Sequence, residues 1–106
     1  MFLNTMKKLL DGSPYELQCA TTGYDALQFA QNNRVNLFLL DIEMPEMDGY
    51  ELARRIKATG NSAPIVFITA NSAREYVDKA INVGAVGLLM KPVRGHTLLA
   101  KVKEFI

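Results

Sequence analysis

Three polar residues stand where apolar runs end. Leu37 to Leu40 is a continuous apolar run of strand length, and Asp41 follows it with no spacer. Ile65 to Ile68 is a second such run and leads into Thr69 and Ala70; a third, from about Val86 to Met90, leads into Lys91 and Pro92. An ionised carboxylate at the end of a buried strand costs free energy unless something pairs with it, which makes Asp41 a candidate for chemistry. A carboxylate can act as a nucleophile toward phosphorus, giving an acyl phosphate. The product needs positive charge and donors, which Lys91 can supply as an ammonium and Thr69 as a hydroxyl. Pro92 restricts the backbone of Lys91 and so helps aim it. Each residue has a plainer reading: a turn-forming aspartate, a threonine chosen for its β preference, a solvated lysine. Their joint placement at equivalent ends of three neighbouring strands argues for a shared task.

The elements that must position them follow from periodicity. A run that is apolar on both alternating faces reads as a strand covered on both sides. The stretch from Val35 to Tyr50, VNLFLLDIEMPEMDGY, therefore reads strand, carboxylate, loop, helix, with Pro45 breaking the loop and Asp48 and Gly49 opening the helix. Leu52, Ala53 and Ile56 line one face of that helix, which ends near Gly60. Ser72 and Glu75 make a capping box for a further helix in which Tyr76, Val77, Ala80 and Ile81 share a face and Gly84 ends the run. Leu98, Leu99, Val102 and Ile106 mark a final helix. Toward the start, Phe2, Leu3, Met6, Leu9 and Leu10 recur at helical spacing; Tyr15 to Thr21 alternates like a half-exposed edge strand, and a helix runs from about Tyr24 to Gln31, burying Ala26, Leu27 and Ala30.

Strands alternating with helices across short loops specify an α/β, doubly wound parallel sheet, whose ligands sit at the carboxyl ends of the strands. The predicted order is a leading helix followed by four strand-helix pairs, giving four strands and five helices. The leading helix is an anomaly, because it has no strand before it to cross from.

With 106 residues the chain is read as one domain, 1–106. The 12 Lys and Arg against 11 Asp and Glu give no reason to expect direct nucleic-acid binding. Cys19 is the single cysteine, which excludes an intrachain disulfide and reads as a small buried hydrophobe. No apolar run approaches the roughly 18 residues of a membrane span, so no membrane association and a cytoplasmic location are expected. His96, the single histidine, reads as a solvated first-turn residue. Met44 and Met47 could shape a partner surface or cap the core.

The segment LLDIEMPEMDG from Leu39 to Gly49, with FITA from Phe67 to Ala70 and MKP from Met90 to Pro92, resembles the active-site segments of receiver domains of two-component response regulators. The resemblance runs from Phe2 to Ile106. It implies a flavodoxin-like receiver fold, Asp41 as phosphoacceptor, Thr69 as the hydroxyl that engages the phosphoryl group, and Lys91 as its positive partner. It also implies Mg²⁺ as cofactor and a sensor histidine kinase or phosphotransfer protein as partner. Glu43 stands where the family offers a backbone carbonyl to the metal; its own carboxylate could be a substitute ligand beside Asp41 or a solvated charge.

The chain departs from that pattern in three places. Receivers start with an additional apolar strand ending in two acidic residues that hold the cation, and neither the strand nor the pair is found here. In the family's strand order, 2-1-3-4-5, that strand is central, lying between the segments Tyr15 to Thr21 and Val35 to Leu40. Omitting about five apolar residues worth roughly 1.5 to 3 kcal/mol each when buried forfeits on the order of 10 kcal/mol, against about 5 to 15 kcal/mol of stability for a small domain. The gap is therefore expected to be filled, by closure of the edge strand or by a second chain in a homodimer. With only Asp41 and Glu43 at hand, metal affinity is expected to be poor and phosphorylation slow or absent. Leu88 replaces the aromatic residue that the family often carries three positions before the lysine.

The leading functional expectation is phosphorelay signal transduction: a receiver that accepts a phosphoryl group on Asp41 and regulates an output partner through its last strand and helix. The alternative is a phosphate-independent, degenerate receiver that dimerises or docks. A small doubly wound enzyme is weaker, because the chain has no glycine-rich phosphate loop, and the protein is expected not to be an enzyme. An apolar strand ending in two acids, encoded upstream of Met1, would favour the first reading and mark this chain as truncated.

Overall fold

The computed structural model describes residues 22–43, 46–70 and 74–105. Four helices and three strands alternate among them: α1 (Gly23–Asn32), β1 (Phe38–Asp41), α2 (Gly49–Ala58), β2 (Ile65–Thr69), α3 (Arg74–Asn82), β3 (Gly87–Met90) and α4 (Gly95–Phe105). The strands form one parallel sheet in the order β1-β2-β3, with Leu40 opposite Phe67 and Ile68 opposite Leu89. Parallel neighbours require a crossover, and α2 and α3 supply it. The predicted helix from Phe2 to Leu10, the strand from Tyr15 to Thr21, Cys19 and Ser72 lie outside the described residues.

Local chemistry sets the element ends. Thr22 caps α1 by accepting the Asp25 N–H at 3.1 Å, and Asp48 caps α2 by accepting the Glu51 N–H at 2.9 Å. Gly60 and Gly84 follow α2 and α3 at φ 88° and 85°, the left-handed conformation in which glycine carries no Cβ penalty.

The sheet has two differently covered faces. Phe38, Leu40, Ile65 and Phe67 pack with Leu52, Ala53 and Ile56 of α2 and Ala80 of α3, and Ala26, Leu27 and Ala30 of α1 lean on the same cluster. Tyr50 stacks edge-on against Phe67 with ring centroids 5.2 Å apart, and its hydroxyl donates to the Tyr76 carbonyl at 3.0 Å, tying α2 to α3. On the opposite face Val66, Ile68 and Leu89 meet Val93, Leu98 and Val102 of α4 and the loop before it. No helix among the described residues is long and apolar enough to cross a membrane.

Several sequence expectations need correction. The strand predicted from Val35 starts at Phe38, whose N–H makes its first ladder bond to the Pro64 carbonyl, just before β2 begins. Asp41 is the last residue of that strand and does not follow it. Ala26, Leu27 and Ala30 do face the core as expected and are half-buried there. Ile81, expected on the buried face of its helix, is 65% exposed. The buried stripe of α3 runs through Tyr76, Ala80 and on to Val83, and Ile81 lies about 100° beyond it.

Candidate functional site

Asp41 and Thr69 end adjacent strands, and Lys91 follows the third, so the parallel sheet brings all three to one rim. Lys91 is fastened there by its backbone N–H, which donates to the Thr69 carbonyl at 2.8 Å. β1 and β3 lie on either side of β2, so the Lys91 side chain must reach over two strand spacings, about 10 Å. A lysine is long enough, and its Nζ donates to Asp41 Oδ2 at 2.7 Å across the end of β2. The Lys91–Pro92 peptide is cis.

Thr69 is fully buried between those strands. Its hydroxyl donates to Glu43 Oε1 at 2.5 Å, while the Glu43 backbone N–H donates to Asp41 Oδ1 at 2.9 Å. Glu43 is exposed, as a solvated charge would be, and through these two hydrogen bonds it is also the fourth member of the cluster. Its contact with Thr69 is absent from the sequence reading. The signal that could have found it is local: an aspartate side chain often accepts the backbone N–H two residues on, and that bond, made here, folds Glu43 back toward Asp41.

The approach of α2 to this loop demands a glycine. A Cβ on Gly49 would sit 2.6 Å from the Asp41 carbonyl oxygen and 2.9 Å from the Ile42 Cα. The Gly49 N–H instead donates to the Ile42 carbonyl at 3.0 Å, closing the loop directly behind the carboxylate. Met47 is buried against Gly23 of α1 and so caps the core; Met44 lies outside the described residues. Leu88 is half-buried and packs on the larger core cluster, as plain packing predicts. His96 is exposed in the first turn of α4.

Burial pushes the Asp41 carboxyl above its ordinary pKa, and the Lys91 hydrogen bond and charge oppose that without overcoming it. The neighbouring Glu43 carboxyl adds to the rise. Burial also acts upward on Glu43, but the hydrogen bond from Thr69, the neighbouring Asp41 and the Lys91 charge together draw it below its ordinary value. Two carboxyls side by side have been pushed apart, and Glu43 is the more strongly ionised.

A carboxylate held against an ammonium, with a hydroxyl beside it on a parallel-sheet rim, is an arrangement suited to phosphoryl transfer. The family model for the response regulator receiver domain matches residues 1–103. The chain belongs to the response regulator receiver family. The transcriptional regulatory protein CrdR of Helicobacter pylori is 38% identical over 102 residues, which cover 95% of this chain and 48% of that protein. This receiver chain therefore spans about half the length of such relatives. Among solved structures, the chemotaxis protein CheY4 of Vibrio cholerae superposes with a TM-score of 0.91 at 28% identity, covering 97% of this chain and 88% of its own. The receiver domain of the sensor histidine kinase PA1611 of Pseudomonas aeruginosa, solved with magnesium coordinated in its active-site cleft, gives a TM-score of 0.87 at 25% identity, with 97% and 86% covered. The flavodoxin-like receiver fold follows from these superpositions.

The described residues of this receiver do not make a magnesium site by themselves. They hold no group of three or more histidine, cysteine, aspartate or glutamate side chains placed for a metal. Both Asp41 oxygens and one Glu43 oxygen already accept hydrogen bonds from the protein. Mg²⁺ favours a near-octahedral set of oxygens with one or two free carboxylates.

Proposed function

We propose that this chain, 1–106, is a single receiver domain that takes a phosphoryl group on Asp41 from a histidine kinase or phosphotransfer protein, slowly in this form, and passes the change to an output partner. The observation that supports it most directly is the 2.7 Å contact between Asp41 Oδ2 and Lys91 Nζ at the rim of the sheet. In the transfer an Asp41 carboxylate oxygen forms a bond to phosphorus as the bond from phosphorus to the donor imidazole nitrogen breaks. The imidazole, already protonated on its other ring nitrogen in the phosphorylated donor, takes the electron pair of the broken bond and leaves as the neutral ring. Lys91 balances charge on the product and Thr69 donates to one of its oxygens. β3 and α4, anchored through Lys91 and Val93, are the surface that senses the change. The chain is a phosphoacceptor and no enzyme in its own right, works in the cytoplasm, and carries no step through a metal that the described residues do not fit.

A phosphate-independent docking or dimerising role is the second reading. It is favoured by one feature: the Thr69 hydroxyl and the Asp41 carboxylate each have a partner within the protein, Glu43 and Lys91.

The test is intact-mass measurement after incubation with a small acyl phosphate, with and without Mg²⁺, and with a phosphorylated phosphotransfer domain. The expected result is slow, incomplete gain of one phosphoryl group that is lost in Asp41→Asn. Absence of any gain from either donor would leave the docking role. Rapid complete labelling would overturn the impairment, and labelling that survives Asp41→Asn would overturn the assignment of the acceptor.

A further inference from the structure

Thr69 lies 26 residues from Glu43 in the chain, yet a hydrogen bond of 2.5 Å joins their side chains at the rim. The partner oxygen is a carboxylate, which makes this a charge-assisted hydrogen bond, the stronger class. A threonine hydroxyl has one proton to give. While that proton is directed to Glu43, it is withheld from any oxygen attached to Asp41.

Geometry makes the two acceptors rivals. Asp41 and Glu43 are linked through the Glu43 N–H to Asp41 Oδ1 bond at 2.9 Å, so the carboxylate that holds Thr69 is carried by a residue tied directly to the acceptor carboxylate. A phosphoryl group placed on Asp41 would carry oxygens to the same rim and compete for the same donor. It would also bring negative charge beside the Glu43 carboxylate, with Lys91 as the ammonium bound to the pair's Asp41 member. Thr69 is buried, so giving up the Glu43 oxygen without a new acceptor carries a desolvation cost.

We propose that Glu43 is a positioning residue acting through Thr69: its carboxylate latches the hydroxyl, and the latch must open before the hydroxyl can serve a phosphoryl group on Asp41. This rests on the reading of Asp41 as phosphoacceptor. Glu43 thereby limits how readily the site is loaded, by donor competition and by charge. The carboxylate side chain, more than the backbone at that position, is the controlling feature.

Two variants separate the effects. Glu43→Gln keeps an acceptor oxygen but removes the charge; Glu43→Ala removes both. Labelling by a small acyl phosphate, followed by intact mass, is expected to quicken in the order wild type, Glu43→Gln, Glu43→Ala, with the alanine variant faster by about tenfold, the scale of one charge-assisted hydrogen bond released to the transferring group. In a Thr69→Val background the gain from Glu43→Ala should shrink to that of Glu43→Gln, because no hydroxyl remains to release. Equal rates for all three single chains, or an undiminished gain in the valine background, would overturn the latch while leaving Asp41 as acceptor.

A measurement without phosphate keeps the test independent of that acceptor role. Three-bond couplings to the Thr69 methyl report its χ1 rotamer by NMR. Redistribution of rotamers in Glu43→Ala, with the glutamine variant closer to wild type, supports the latch even if Asp41 is never labelled. An unchanged rotamer in the alanine variant overturns it.

Discussion

Ile68 and Thr69 are neighbours in β2 and equally hidden from solvent, yet they are held by different physics. From Ile65 to Ile68 the side chains are purely apolar, and their burial on two faces of the sheet is a non-directional gain that is indifferent to pH. At Thr69 the same strand delivers a hydroxyl, and from there to Asp41, Glu43 and Lys91 every contact is directional. A polar contact of that kind has a small net value but is expensive to leave unmade. The body of the sheet should therefore set whether the domain folds. The rim should set what the folded domain does, with little leverage on stability. Each prediction below tries to break that division, beginning with the largest effect.

Phe67 is fully buried at the centre of the body and stacks on Tyr50. Phe67→Ala should destabilise by about 3 to 5 kcal/mol, through lost transfer energy and the cavity left behind. Urea unfolding checks it; a loss no larger than that of a rim variant would erase the distinction. Gly49 sits where body meets rim. Gly49→Ala drives a methyl group into the Asp41 carbonyl and the Ile42 Cα, both backbone, so neither can swing aside. Overpacking of this sort costs typically about 1 to 3 kcal/mol. The distinctive expectation is that the variant moves the Asp41 resonances as well as lowering stability, since the loop behind the carboxylate must shift.

The same division governs what could be read from sequence. Apolar runs announced β1, β2 and β3; burial at every consecutive residue holds for β2, whereas β1 alternates between buried and half-buried and β3 ends in an exposed Met90. The polar ends of those runs announced Asp41, Thr69 and Lys91 as neighbours, since parallel register is enough to collect them. What was illegible depends on how separate elements meet. Ile81 satisfies helical periodicity as well as Ala80 does, and only the placement of α3 on the sheet decides that one is buried and the other not. Met47 could have faced outward; it is the close fit against Gly23 that takes it inside. Glu46, at φ 68°, adopts a left-handed conformation that its residue type gives no hint of. Glu43 is the instructive case: a turn at the Asp41 side chain brings it back toward the rim, but the grip on Thr69 needs a neighbouring strand that no local pattern reveals.

Lys91→Met probes the rim with a change that keeps side-chain length and removes the charge. Asp41 and Lys91 are each less than a third exposed, at 19% and 26%, so their pair lies between the surface and buried limits. A loss of about 1 to 2 kcal/mol is expected. The sharper readout is electrostatic. Burial already holds the Asp41 carboxyl above its ordinary pKa, and the ammonium is what restrains it. Without that charge the pKa should climb further, as followed by the Asp41 side-chain carbon in an NMR titration. If it stays where it is, the pair is a contact without consequence.

The smallest effect expected is on the pH dependence of stability, and it distinguishes the two carboxyls by sign. A carboxyl raised in the folded state, as Asp41 is above 3.8, contributes stability that is present below the unfolded pKa and lost as pH rises through the folded one. A carboxyl lowered in the folded state, as Glu43 is below 4.5, contributes stability that is present above the unfolded pKa and lost as pH falls through the folded one. In wild type, through the mildly acidic range, the Glu43 slope acts up to 4.5 and the Asp41 slope acts from 3.8 upward, so the two oppose each other only where they overlap; on their account the thermal midpoint should rise with pH below that overlap and fall above it. Asp41→Asn removes the falling part and should leave stability increasing more with pH; Glu43→Gln removes the rising part and should do the reverse. Melting curves of the three chains in chelator-containing buffer across that range provide the comparison. Parallel curves would mean that the rim carries no net electrostatic coupling to folding, and the division between body and rim would then be complete.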